Sequence, residues 1–323
     1  MGESRFTEIL IVEAPNGRPL PPSEVLKSAT NDGRMQVASS VSTAKSLISR
    51  LSAPAILVIN EPIIEIFQGF RQKFPHGKII LVTDLTMEKY SAVLGGLEES
   101  LLDHVIANRT PSTFTSQELR ITLQKLIRDD LFGIEKYLSS NTPIHSLRVT
   151  ASSDRDRINQ SIETFALQNG LSHQFSKLAH GISEELLMNV IYDAPTRDGV
   201  HPYAELHRSV PVTLRPEEQS TISFGMDHNC FAIAATDPFG GLTRPKLFQY
   251  LRKVLQREEG ADLVDKKAGG AGLGLYKILY SSHSLVCNVK PNVRTDVIAL
   301  IDINYQIRDF SKQARSIHYF QSP

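Results

Sequence analysis

Residues 266–278 read KKAGGAGLGLYKI, and the segment ahead of this glycine cluster narrows the possible folds more than any other feature of the chain. Gly269, Gly270, Gly272 and Gly274 stand directly before a helical pattern. Glycines there let backbone N–H groups approach phosphate oxygens, and the following helix adds its positive N-terminal end. Upstream, the apolar runs Ser220–Met226 and Cys230–Thr236 are joined by Asp227, His228 and Asn229, which predicts a β-hairpin. The second run ends in TDPFGGLT, placing Asp237 at a strand end ahead of Gly240 and Gly241. A glycine loop after a hairpin lies in an antiparallel setting. That argues against a dinucleotide-binding fingerprint, which follows a parallel strand, and the GK[ST] of a Walker loop is missing.

Two helices precede the hairpin. Ser153–Gln168 carries Ile158, Ile162, Phe165 and Ala166 on one face, with Gly170 as a C-terminal stop. A second helix runs from about His173 to Tyr192 and contains SEELLMNVIYDA. Glu185 and Asn189 stand four apart and project from one face, beside an apolar stripe of Ile182, Leu186 and Val190. The asparagine oxygen suits Mg²⁺, a hard cation, and the glutamate suits a proton acceptor for a water or hydroxyl attacking a phosphate. Taken alone, this pair reads as a solvated Glu and a helix-surface Asn, and only its context points to a nucleotide. After the hairpin, Pro245 opens a helix that runs through Arg257, and Gly260 closes it. Residues 258–270 are predicted as a lid, with Lys266 and Lys267 either reaching phosphates or staying solvated. Leu285–Val289 and Asp296–Ile303, joined near Pro291 and Asn292, predict a closing hairpin.

The order ExxxN, then Asp-x-x-Gly-Gly, then GxGxGL resembles the N-box and two glycine boxes of GHKL nucleotide-binding domains, across residues 145–305. The stretch VTASSDRDRINQSIETFALQNG followed by EELLMN is similar to the anti-sigma-factor serine kinase branch. The resemblance implies a Bergerat α/β sandwich with a mostly antiparallel sheet over residues 144–308, and ATP with Mg²⁺ as ligands. By resemblance, Asn189 ligates Mg²⁺, Glu185 is the general base, and Asp237 accepts a hydrogen bond from the adenine amino group. Gly270, Gly272 and Gly274 cradle the phosphates, and Gly241, Leu275 and Lys267 complete the nucleotide-binding set. Thr295, in VRTDVIALIDI, matches the threonine that the family places beside the adenine. Phe239 occupies the middle of the first glycine box, where the family has glycine, and would narrow the base pocket or stack near the adenine.

The first half of the chain alternates strand and helix. Strands are predicted at Glu8–Val12, Met35–Ala38, Ala55–Asn60, Lys78–Thr83 and His104–Ala107. Helical patterns lie near Pro22–Ser28, Ser42–Leu51, Ile63–Phe74 and Met87–Ser100. Such βαβ units imply a flavodoxin-like (βα)5 parallel sheet covered on both faces. Residues 1–125 resemble the receiver domain of response regulators, with local echoes in ILIVEAP, ILVINEP and IILVTD. The resemblance implies clustered carboxylates, a phosphate-accepting aspartate and a lysine after the fifth strand. Here the first strand ends in Glu13 and Ala14, the third in Asn60, and the fifth runs into Asn108 and Arg109 without a lysine. The domain therefore reads as a degenerate receiver that binds partners, or as another small flavodoxin-like domain. Thr113–Ser140 carries an apolar stripe of Leu119, Leu123, Leu126, Ile127, Leu131, Ile134 and Leu138. This stripe suits the receiver's last helix extended into a connector over residues 113–143, or a homodimer surface. Residues 309–323 are read as a tail.

Lysine plus arginine equals aspartate plus glutamate, 35 against 35, so the basic footprint of general nucleic-acid binding is missing. No apolar run approaches the roughly 18 residues of a membrane span, and MGESRFTEIL has no signal-peptide core. These features predict a cytoplasmic chain with no membrane contact. Cys230 and Cys287 lie in strand-like runs and read as buried free thiols. The GHKL resemblance implies one of two functions. One is an anti-sigma-type serine/threonine kinase acting on a partner protein in a bacterial signalling pathway. The other is a non-catalytic module in which ATP changes what the first half binds. A histidine kinase is disfavoured, because none of the ten histidines lies within Thr113–Ser140.

Overall fold

Apolar runs buried along their whole length, with helices between them, build the first part of the chain. The computed structural model describes residues 8–21, 26–27, 34–52, 55–86, 89, 101–109, 113–257, 273–304 and 313–322. The described strands are β1 (Glu8–Val12), β2 (Arg34–Ala38), β3 (Ala55–Ile59), β4 (Lys78–Thr83), β5 (His104–Ala107), β6 (His145–Val149), β7 (Ser220–Met226), β8 (Cys230–Asp237), β9 (Ser284–Lys290), β10 (Arg294–Asp302) and β11 (Ser316–Gln321). The helices are α1 (Val41–Arg50), α2 (Ile64–Lys73), α3 (Thr113–Arg128), α4 (Asp154–Gln168), α5 (His173–Met188), α6 (Arg244–Arg257) and α7 (Leu273–Ser281). The protein is thus α/β, with parallel and antiparallel strand pairing. It divides into two compact units, Met1–Leu131 with Lys312–His318, and Phe132–Ser311 with Tyr319–Pro323.

In the first unit the strands run parallel in the order β2-β1-β3-β4-β5. Every residue of β1, β3 and β5 is buried, as a parallel sheet covered on both faces requires. Ser40 caps α1 by accepting from the Thr43 amide at 3.2 Å. Helix α2 buries Ile66, Phe67 and Phe70. Ile317 and His318, the start of β11 that belongs to this unit, pair antiparallel with Val105 and His104. The Ser316 hydroxyl accepts from the Ala107 amide at 2.9 Å and donates to Glu118 at 2.7 Å.

In the second unit the sheet is antiparallel, in the order β9-β10-β8-β7-β6. Phe231 of β8 meets Phe165 of α4 and Phe175 of α5, with ring centroids 5.9 and 5.5 Å apart, which seats both helices on the sheet. The β7–β8 turn closes where the Asp227 carboxylate accepts from the Asn229 and Cys230 amides, each at 2.8 Å. Cys230 and Cys287 are free and buried.

Several expectations change. Of the one or two helices expected over Thr113–Ser140, the first ends at Arg128, where Asp129 and then Gly133 take positive φ (52° and 102°), and the second is only a 3-10 turn, Ile134–Tyr137. Of the apolar stripe, Leu119, Leu123, Leu126, Leu131, Ile134 and Leu138 are buried and Ile127 is half-buried. The segment read as a tail contains β11. Strand β6 was also not anticipated, since four of its five residues escape burial and its HSLRV run lacks an apolar face. The helical pattern near Pro22–Ser28 is described only at Leu26 and Lys27, and Met87–Ser100 lies outside the described residues apart from Lys89.

Candidate functional site

Helix α5 opens at Ser172, whose hydroxyl accepts from the Phe175 amide at 3.2 Å. Ile182, Leu186 and Val190 are buried, which fixes the helix's rotation. Glu184 and Glu185 consequently point in different directions. Glu184 is bound by the Arg155 guanidinium and by Asn159 at 2.8 Å. Burial alone would raise its pKa, but these two donors outweigh burial and hold it below the ordinary glutamate value. Glu185 instead faces α7, where Lys277 Nζ donates to it at 2.6 Å. Gly274 permits this close approach: a Cβ there would lie 3.0 Å from Glu185 Oε2 and 3.3 Å from Asn189 Oδ1.

At Asn189 the helix widens into a π-type turn, Asn189–Asp193, closed by the Ala194 amide donating to the Asn189 carbonyl at 2.8 Å. Local widenings of this kind recur at functional sites. Here the turn brings Asn189 and Asp193 to the walls of two pockets at once.

The end of β8 supplies the opposite wall. Thr295 of β10 lies directly across from Asp237, and Asp296 across from Thr236. Because adjacent strand residues face opposite sides, the two pairs have different environments. Asp296 accepts from Thr236 and Arg294 and is saturated structurally. Asp237 is buried, accepts from the Phe239 amide at 2.9 Å, and lines the first pocket. Burial pushes its carboxyl up to about 6, an effect only partly offset by the Phe239 and Gly240 amides. The Thr295 hydroxyl favours the carboxylate weakly from nearby. It is buried and makes no hydrogen bond of normal geometry among the described residues.

The first pocket holds about 560 Å³ of atom-free space open to solvent. Asp237, Thr295, Gly241, Leu275 and Asn189 line it, so five of the predicted site residues meet there. The second pocket adjoins it through Asn189 and Asp193 and adds Glu185, Gly274, Arg208 and Lys277. Gly270, Gly272 and Lys267, with Gly269 and Lys266, lie outside the described residues, as does the predicted lid. Phe239 is half-buried and lines neither of these two pockets.

Asp193, His201, Arg208, Lys246, Tyr250 and Lys277 also line the two pockets and are not among the residues expected from the sequence. Asp193 had a readable signal, four residues beyond Asn189 on the same helix. Lys277 lies within the glycine segment's own helix. Arg208 had no local signal, because an irregular segment carries it to the site. Burial raises the Asp193 carboxyl despite the Arg208 guanidinium 3.2 Å away.

The carboxyl ends of the parallel strands in the first unit are the other place where such sheets bind ligands. There the chain fills its own crevice. Asn60 is buried and its side chain accepts from the Ala14 amide at 2.7 Å. It also donates to the Ala14 and Arg18 carbonyls at 3.2 and 3.1 Å. Asn108 donates to the Pro19 carbonyl at 2.9 Å, and Arg18 to the Asn108 carbonyl at 3.0 Å. Arg109 turns inward to Glu118 and Ser316.

No family model and no curated protein matches this chain. Among solved structures, a chain of the SiaB–SiaC complex from Pseudomonas aeruginosa aligns at 14% identity with a TM-score of 0.30. The alignment covers 48% of this chain and 88% of that one. A likeness at that score carries no argument. Among the described residues no helix is long and apolar enough to cross a membrane, and no group of three or more His, Cys, Asp or Glu is arranged to hold a metal.

Proposed function

We propose that residues 144–308 are a GHKL-type nucleotide-binding domain of Bergerat architecture, and that the chain transfers the γ-phosphoryl group of ATP to a serine or threonine of a partner protein. The observation that carries this reading is Asp237: a buried carboxyl at a pocket wall, in register with a buried hydroxyl that lacks a partner among the described residues. An adenine edge offers an N–H to the carboxylate and an acceptor nitrogen to Thr295, which satisfies both groups. Asn189, with its hard amide oxygen at the junction of the two pockets, is the residue that would hold Mg²⁺, which supplies charge neutralisation at the phosphates. The partner's hydroxyl oxygen attacks γ-phosphorus, its bond to the ADP oxygen breaks, and the hydroxyl proton passes to Glu185. The first unit, with the 2-1-3-4-5 order of flavodoxin-like sheets, fits a degenerate receiver whose role is to bind a partner.

One observation favours a second reading, a nucleotide-controlled binding module without transfer. Glu185 is engaged by Lys277, and a base in an ion pair is not free to take a proton. Incubation with γ-³²P-ATP and candidate partners separates the two. Transfer predicts label on partner hydroxyls that falls roughly 10²–10⁴-fold in Glu185→Ala while ATP affinity holds. Tight ATP binding with neither label nor hydrolysis leaves the binding module, and no ATP binding at all overturns both.

A further inference from the structure

The second pocket joins the first through Asn189 and Asp193, and its wall carries two cations whose settings differ. Arg208 comes from the irregular segment between the π-type turn and β7. Its guanidinium donates to Asp193 through Nη2 at 3.2 Å and lies over the Tyr192 ring, 4.4 Å from the centroid. The Tyr192 hydroxyl in turn donates to the Arg208 carbonyl at 3.2 Å. The segment itself is anchored, since Glu218 accepts from Arg197 at 2.5 Å and from Tyr203 and the Arg215 amide at 3.0 Å each. Arg208 is therefore held in place before any ligand arrives. Its Nη1 is buried and has no hydrogen-bond partner among the described residues. Arg208 itself lines the pocket, and a fixed planar guanidinium there suits an oxyanion. Lys277 is half-exposed and has exchanged nothing yet: its partner is Glu185.

The carboxylates of this pocket are neutralised pairwise, Glu184 by Arg155, Glu185 by Lys277 and Asp193 by Arg208. A ligand whose flat heterocycle lies against Asp237 and Thr295 must send its other end past Asn189 into this space. We propose that the second pocket is the polyanion subsite of the nucleotide site, where Arg208 binds the phosphate chain and Lys277 leaves Glu185 for the same oxygens. The inference rests on the nucleotide reading above and adds the residues that distinguish a nucleoside polyphosphate from a nucleoside. It also removes the conflict at Glu185, because the ligand that needs a base is the one that frees it.

Calorimetry of the full chain with adenosine, ADP and ATP in Mg²⁺ tests this. Wild type is expected to bind ATP at least tenfold more tightly than adenosine. Arg208→Gln is expected to weaken ATP roughly 10- to 100-fold, as loss of charge-assisted hydrogen bonds does, with adenosine changed less than about twofold. Arg208→Lys keeps the charge but not the fork and should fall between them, and Lys277→Met should narrow the gap between ATP and adenosine. A raised salt concentration should weaken ATP less in Arg208→Gln than in wild type. Equal losses for adenosine and ATP would show that Arg208 only supports the fold, and an unchanged ATP affinity would show that it touches no phosphate. Wild type binding adenosine and ATP equally overturns the polyanion subsite alone. Wild type binding none of the three overturns the nucleotide reading itself.

Discussion

On the proposed nucleotide reading, Asp237 links stability and binding in opposite directions. Its carboxyl titrates near 6 instead of 3.8 because burial penalises the charge. Between about pH 4 and pH 6 the folded chain keeps a proton that the unfolded chain has released. Stability therefore falls as pH rises across that window, by roughly 3 kcal/mol in all. Asp237→Asn removes the buried charge and keeps an oxygen for the Phe239 amide. At pH 7.5 the variant should melt at a higher temperature than wild type, and its ATP affinity should drop by roughly 1–3 kcal/mol. Wild-type affinity should rise as pH passes through 6, since the carboxylate is the form that accepts a ligand N–H, and the variant should lose that dependence. Melting curves and calorimetry at pH 5, 6 and 7.5 check all three statements. A variant less stable than wild type at pH 7.5 would mean that the carboxylate is better solvated than its burial implies.

At the level of elements, the exit from β8 is held by contact with the β9–β10 hairpin. Gly240 has φ +63°, and a Cβ there would lie 2.1 Å from the Lys290 carbonyl oxygen, with the Asn292 and Val293 amides at 2.7 and 2.8 Å. All three are backbone atoms and cannot turn aside. Gly241, one residue on, has nothing within 4 Å of its Cβ position and faces the first pocket. The conformational demand thus falls on Gly240 and not on Gly241, the one the resemblance places in the nucleotide-binding set. Gly240→Ala should cost roughly 2–5 kcal/mol, combining an unfavourable φ with a backbone clash, and Gly241→Ala should cost less than about 1 kcal/mol. Urea midpoints measure both. Equal midpoints would show that the strand exit moves freely against the hairpin.

Across the whole molecule, the two units differ in what their sites leave open. The second presents pockets lined by groups with unused hydrogen-bonding capacity. In the first, the polar side chains at the strand ends are bonded to the chain's own segment from Ala14 to Pro19. Acetyl phosphate should therefore leave no adduct on residues 8–109, read by peptide mapping of the treated full-length chain. Restoring an acid should not help. Asn60→Asp sets a carboxylate against the Ala14 and Arg18 carbonyls in place of an amide donor, and should destabilise the fold by roughly 1–3 kcal/mol without creating an acceptor. A stable adduct on Asp84 or Glu61 would overturn this account.

Much of this was present in local sequence, for a physical reason. Burial on one face repeats every two residues in a strand and about every 3.6 in a helix, so β1, β4, β5, α4 and α6 were readable within a residue or two of their ends. The i, i+4 spacing of Glu185 and Asn189, and the glycines that allow close approach, are local statements of the same kind. Strand β6 and strand β11 were not readable, because their hydrogen-bond partners, β7 and β5, lie far along the chain and their own residues show no clear period. Nor does local sequence say that Thr295 stands opposite Asp237, or which of two adjacent glutamates meets Arg155 and which Lys277. Cross-strand register and the rotation of one helix against another are set by packing across the unit. That packing carried Arg208 to the pocket.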